Sequence, residues 1–102
     1  SGSIIWDRYK TNTAKISVPD SYKSEQVMDI TGVSLDEALY YIHKGYALNV
    51  LTEDESMLVY AYDKSNVAYV SGENSFNTAK TELEKLIGLK NTVILVCNII
   101  KD

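Results

Sequence analysis

The sequence has one cysteine, one histidine, one proline and one phenylalanine in 102 residues. A single thiol, Cys97, excludes an internal disulfide, and one Cys with one His supplies too few soft ligands for a structural zinc. The fold must therefore stand on its apolar core, with no metal and no cofactor called for. No apolar run approaches the ~20 residues that a helix needs to cross a bilayer. The start, Ser1-Gly2-Ser3-Ile4-Ile5-Trp6, lacks the basic-then-apolar order of a secretory leader. Membrane insertion by this segment is not expected. Positive charge is scarce as well: ten Lys and Arg face fourteen Asp and Glu, for a net charge of -4. Such a surface repels a phosphate backbone, which clustered cations must neutralise, so nucleic acid drops out as a partner class. The shortage of cysteine leaves the compartment open, because secreted proteins of some bacteria also avoid it and a lone buried thiol is no evidence for a reducing compartment.

What is present is ordinary for a folded domain. Hydrophobic residues make up 45% and charged residues 24%, enough to bury one core and too little chain for two. Ser1-Gly2-Ser3 reads as a remnant of cloning, which leaves residues 4–102 as a single domain cut from a larger protein. Ile4 to Tyr9 and Ala14 to Val18 carry β-branched and aromatic residues suited to two short strands. The polar stretch Pro19 to Gln26 reads as a loop. Ser34-Leu35-Asp36-Glu37 is a capping box, and Leu35, Ala38, Leu39 and Ile42 follow at helical spacing, with Val33 as a staple. This predicts a helix over about Leu35 to Lys44, closed by His43 and Lys44 against the dipole and by Gly45. Tyr46 to Thr52 and Ser56 to Asp63 predict a hairpin across the turn Glu53-Asp54-Glu55, and Val67 to Ser71 a third strand beyond Asp63-Lys64-Ser65-Asn66. A second helix is expected from a cap at Asn74 or Ser75, with Phe76, Ala79, Leu83, Leu86 and Ile87 on one face and Gly88 at its end. Val93 to Cys97, apolar on both faces, suits an interior strand.

Only His43 and Cys97 could supply a thiolate and an imidazole for nucleophilic catalysis. Cys97 lies in the most apolar segment, where burial raises a thiol's pKa and keeps it inert, while His43 suits the negative end of a helix. Both read as structural residues. Glu53-Asp54-Glu55 lacks the spaced ligands and internal glycine of a calcium loop and reads as a solvated turn. Eight tyrosines stand against the one phenylalanine, and Tyr40, Tyr41, Tyr46, Tyr60, Tyr62 and Tyr69 cluster around the first helix and the meander. Amphipathic rings serve at interfaces and equally fill half-buried sheet positions. Tyr40, Tyr41, Tyr60 and Tyr62 are the candidate contact residues.

The stretch Asp29-Ile30-Thr31-Gly32-Val33-Ser34-Leu35-Asp36-Glu37-Ala38-Leu39-Tyr40-Tyr41-Ile42, followed by Lys44-Gly45, resembles a segment of the papain-like C39 peptidase family and its relatives in Gram-positive bacteria. There a helix ending in Gly leads into a strand. Met57-Leu58-Val59-Tyr60-Ala61-Tyr62-Asp63 is similar to that family's strand beginning with His and ending in Gly-Tyr-Asp. Asn91 to Ile100 resembles its closing strand, and Trp6-Asp7-Arg8 resembles a Trp-x-Arg element upstream in some relatives. The resemblance runs loosely over nearly the whole chain and is most specific over residues 29–71. By that resemblance, Glu55 stands where the family has its catalytic His, and Ser71-Gly72 stands where the Asp or Asn that orients the His belongs. The family's nucleophilic Cys lies on an upstream helix, and here no Cys precedes Cys97. Glutamate cannot replace imidazole beside a thiolate, and Ser71 offers no orienting carboxylate. Glu55 and Ser71 thus mark vestigial positions of a site that has lost its chemistry.

These readings predict an α+β domain in which an antiparallel sheet of about five strands packs with one or two helices, as in the β-rich half of a papain-like fold. The expected function is a non-catalytic interaction or structural module of a larger bacterial protein, extracellular or at the cell surface by resemblance. Its partner is another protein, another domain of the parent chain, or a second copy in a homo-oligomer. The alternatives are the β-rich lobe of a cysteine peptidase whose nucleophile lies outside this chain, and a small-ligand-binding domain. Residues 4–27 are expected to fold onto the body with Trp6 mostly buried, since Ile4, Ile5, Trp6, Ile16 and Val18 would otherwise expose an apolar patch.

Overall fold

The computed structural model describes residues 22–101. In chain order the elements are β1 (Tyr22–Asp29), α1 (Leu35–His43), β2 (Ala47–Leu51), β3 (Ser56–Tyr62), β4 (Asn66–Ser71), β5 (Asn74–Ala79), α2 (Lys80–Ile87) and β6 (Val93–Lys101). The six strands form one sheet in the order β1-β6-β2-β3-β4-β5, and every neighbouring pair is antiparallel. This is the expected α+β architecture, with six strands among the described residues where the sequence suggested a sheet of about five.

The helix α1 forms where the capping box places it. Ser34 holds an extended backbone and its hydroxyl accepts a hydrogen bond from the Glu37 amide at 3.2 Å. Leu35, Ala38, Leu39 and Ile42 are buried, as their spacing requires. Lys44 caps the helix, and Gly45 follows at φ 102°, a left-handed conformation that glycine adopts without a Cβ penalty. The β2–β3 turn is tied by the Thr52 hydroxyl, which accepts from the Asp54 and Glu55 amides. The β3–β4 turn is tied by the Asp63 carboxylate, which accepts from the Ser65 and Asn66 amides. Short polar side chains bonding to backbone two or three residues on are what make both sequences turns.

Both helices pack on one face of the sheet. Leu48 and Val50 of β2, Met57 and Val59 of β3, Val67 of β4, and Ile94 and Val96 of β6 join Leu35, Ala38, Leu39, Ile42 and Leu83 in one buried cluster. The opposite face carries a second cluster, Ala47, Leu58, Tyr60, Ala61, Ala68 and Val70, with Ile99 packed against it. A sheet apolar on both faces explains why β6 reads as a continuous hydrophobic run. It lies inside the sheet, between β1 and β2, as an interior strand should.

Two expectations are corrected. Tyr22 to Gln26, expected within a loop, belongs to β1, which pairs with β6 from Tyr22↔Lys101 to Asp29↔Leu95. Its described residues from Glu25 to Asp29 are exposed, so an edge strand held by backbone bonds shows no apolar alternation. Asn74 to Ala79, expected to begin a helix, is the strand β5, paired residue by residue with β4. The two-residue turn Gly72-Glu73, with Gly72 at φ 63°, reverses the chain before any helix can start. The helix α2 begins only at Lys80, and its N-cap Ala79 makes no side-chain capping bond. The expected strands at Ile4–Tyr9 and Ala14–Val18, and the burial of Trp6, lie outside the described residues.

Candidate functional site

The last turn of α1 brings three polar or aromatic side chains together on the surface. Tyr40 is 52% exposed. Its ring meets that of Tyr41 edge-on at 5.8 Å between centroids and lies 6.2 Å from the imidazole of His43. The Lys44 ammonium sits 5.6 Å from the Tyr40 centroid, within cation–π range. Successive turns of a helix put residues 40, 43 and 44 side by side, and the helix C-terminus favours positive charge there. The arrangement offers a flat amphipathic ring flanked by hydrogen-bond donors, a surface suited to contact with a protein.

The other two tyrosines proposed as contact residues lie elsewhere. Tyr62 is half-buried on the helix side of the sheet, with the Lys80 ammonium 5.0 Å from its ring centroid. Tyr60 is only 4% exposed and belongs to the opposite cluster. A register shift between Val59 and Ala61 lets Tyr60 and Ala61 both join the outer cluster, which a strict period of two does not anticipate. Tyr40 and Tyr41 therefore share a surface, and Tyr60 and Tyr62 do not extend it.

The positions Glu55 and Ser71 are brought together at one end of the sheet. The Ser71 hydroxyl donates to the Ser56 carbonyl at 3.0 Å, so Ser71 bridges from β4 to the residue following Glu55. Burial pushes the Tyr69 hydroxyl above its ordinary pKa, and the nearby Glu55 carboxylate adds to the shift. The Ser71 hydroxyl is committed to a main-chain acceptor, and Glu55 is exposed at the turn. The neighbouring Glu53 carboxylate accepts from the Asn91 side-chain amide at 2.7 Å, joining this turn to the one before β6.

Cys97 is 1% exposed, and its thiol donates weakly to the Leu95 carbonyl at 3.7 Å. Burial raises its pKa, partly offset by hydrogen bonding to Asn49. Its register partner on β2 is Ala47, a member of the outer cluster. His43 closes α1 on the other side of the sheet, so thiol and imidazole stand on opposite faces. Among the described residues, no three His, Cys, Asp or Glu side chains converge as metal ligands would. No described helix is long and apolar enough to cross a membrane.

One feature escaped the sequence. The rings of Tyr69 and Phe76 stack at 5.3 Å and 26° across β4 and β5, and Phe76 remains 44% exposed. The signal was Gly72-Glu73, a two-residue turn between a run of β-formers and a segment without charge. Compared with known proteins, the chain matches no family model, and no curated protein or solved structure is similar to it.

Proposed function

We propose that this chain is a non-catalytic interaction module of a larger exported bacterial protein, built like the β-rich half of a papain-like fold. The observation that carries the reading is the exposed cluster of Tyr40, His43 and Lys44 at the end of α1. A half-exposed tyrosine braced by a neighbouring ring and a cation loses little side-chain freedom on binding, which suits it to anchor a contact. The partner is a protein surface or an adjoining domain of the parent chain. The absence of peptidase chemistry is supported by the separation of the Cys97 thiol from His43 across the sheet. It is supported also by Glu55 and Ser71, which occupy the two positions where imidazole and its orienting group belong in the family that the chain resembles.

The test uses the adjoining domains of the parent polypeptide, titrated into the labelled chain. Resonances of Tyr40, His43 and Lys44 should shift, and Tyr40→Ala should weaken binding by about tenfold or more, as loss of an aromatic anchor does. Binding that ignores Tyr40→Ala refutes the reading. In parallel, native Cys97 should react with a thiol reagent far more slowly than in denaturant. Rapid native labelling, together with peptide hydrolysis abolished by Cys97→Ser or His43→Ala, replaces the interaction module with a peptidase lobe.

A further inference from the structure

The outer face of the sheet is buried, yet no described helix or strand lies over it. Both helices pack on the other face. Ala47, Leu58, Tyr60, Ala61, Ala68 and Val70 are nevertheless no more than 6% exposed. Side chains stand roughly perpendicular to a sheet, so strand neighbours shield their flanks, and on a bare face a tyrosine, a leucine and a valine would keep their tips in water. A second sign comes from β5, where Ser75 opposes Val70 and therefore shares this face. Its hydroxyl oxygen is shut off from solvent and has no hydrogen-bond partner, whereas an uncovered edge strand would leave such a group to water. The cover thus extends from β6, where Ile99 joins the cluster, to β5.

We propose that residues 4–18 of this chain are the cover, crossing the outer face from the β1 side towards β5 and seating Trp6 over the alanines at its centre. Reach allows it. Tyr22 opens β1 at the end of the sheet where Ala47 opens β2. From β1 to β5 the sheet spans five strand spacings, about 24 Å, and an extended chain as long as residues 1–21 covers on the order of 70 Å. Shape favours it as well. Ala47, Ala61 and Ala68 lie in a row over β2, β3 and β4. Methyl groups stand low above the main chain, so bulky side chains must fill the space over them, and Ile4, Ile5 and Trp6 supply that bulk, with Ile16 and Val18 to follow nearer β1. Charge agrees: residues 1–21 hold three of the ten basic residues and only two of the fourteen acidic ones, so a positive strip meets a negative body. The sequence alone assigned this segment to no face of the sheet. Its seat on the outer face goes beyond the contact surface on α1 and uses none of that surface's residues.

The test uses the full chain. Trp6 is the sole tryptophan, and replacing it with the photoreactive p-benzoylphenylalanine puts one contact-range probe of similar bulk in the segment. Irradiation should give adducts within a single chain, mapped by mass spectrometry to outer-face residues such as Ala47, Tyr60 and Ala68. Adducts to α1 or α2, adducts that join two chains, or no adduct to the sheet overturn the proposal. Cys97 supplies a second readout, because its thiol lies on this face opposite Ala47. Trp6→Asp, with circular dichroism confirming a folded sheet, should speed native labelling of Cys97 by a thiol reagent about tenfold or more, since a charge in place of a buried indole weakens docking. Tyr40→Ala, which alters only the α1 surface, should label at the parent's rate. Labelling of folded Trp6→Asp at the parent's rate, or no faster than that of Tyr40→Ala, overturns the proposal.

Discussion

Thr31 does more than its exposed position suggests. Its hydroxyl donates to the Asp29 carboxylate at 2.7 Å and accepts from the Ile94 amide at 3.0 Å. The Ile30 amide meanwhile donates to the Ile94 carbonyl at 2.9 Å. The side chain thus continues the β1–β6 ladder one step past the end of β1, satisfying an amide on a strand whose side chain at that point is 1% exposed. Thr31→Val keeps the volume and deletes the hydroxyl, leaving the Ile94 N–H without an acceptor. An unpaired buried donor costs about 1–3 kcal/mol. Because Thr31 itself is exposed and water can reach part of the site, the lower half of that range applies. With a urea slope near ~2 kcal/mol/M for a domain of this size, the midpoint should fall by about 0.5–1 M. Thr31→Ser, which keeps the hydroxyl, should recover most of the loss. A pH-dependent component accompanies it. The Thr31 hydroxyl, and after it the Thr31 amide, hold the Asp29 carboxyl below its ordinary pKa against a small opposing effect of burial. A carboxyl depressed in the folded state contributes stability above its unfolded pKa and loses it as pH falls through the folded value. The deficit of Thr31→Val should therefore be largest near neutrality and shrink in acid by the Asp29 share, while the Ile94 share persists. A midpoint equal to the parent's would refute the ladder argument. A deficit that does not shrink in acid would refute the Asp29 part alone.

Ser34→Ala should cost about 1 kcal/mol, the usual magnitude for losing an N-cap acceptor, and equilibrium denaturation reads it directly; an unshifted midpoint means that the Glu37 amide does not depend on Ser34. Deleting residues 1–18 tests the expectation that Ile4, Ile5, Trp6, Ile16 and Val18 cover apolar surface. Stability should drop by several kcal/mol, on the scale of removing a large buried side chain, and an unchanged thermal midpoint would rule that expectation out.

The parts legible in the sequence are those where local and tertiary demands agree. α1 has a capping box, an apolar stripe and a terminal Gly45, and it forms within one residue of the expected span. β2, β3 and β4 combine β-branched residues with turn chemistry at Thr52–Glu55 and Asp63–Asn66, and they too appear close to the expected positions. β1 and β5 were illegible for a shared reason. An edge strand is held mainly by main-chain bonds to one neighbour, so its side chains need not alternate, and both segments are polar. In β5 the spacing of Phe76, Ala79 and Leu83 imitates a helix, although Phe76 belongs to a stack with Tyr69 and only Leu83 reaches the helix-side core. Of the candidate residues, burial of Cys97 followed from its apolar surroundings. The separation of Tyr60 from Tyr40 did not, because it depends on the register shift after Val59.

The place of β6 bears on how the domain reaches its folded state. It is the last of the described strands in the order of synthesis, yet it lies between the first and the second of them. A nascent chain can zip up α1 and the β2-to-β5 meander from contacts between near neighbours, but β1 has no partner among the described strands until Val93 to Lys101 emerges. Until then one side of β2 is also an open apolar edge, the kind of surface that a chaperone holds or a second nascent chain captures. Closure of this sheet is thus a long-range event, of the kind that slows folding at a given stability. Substitutions in β6 should slow refolding if its insertion limits the rate, whereas substitutions in the meander should act mainly on unfolding.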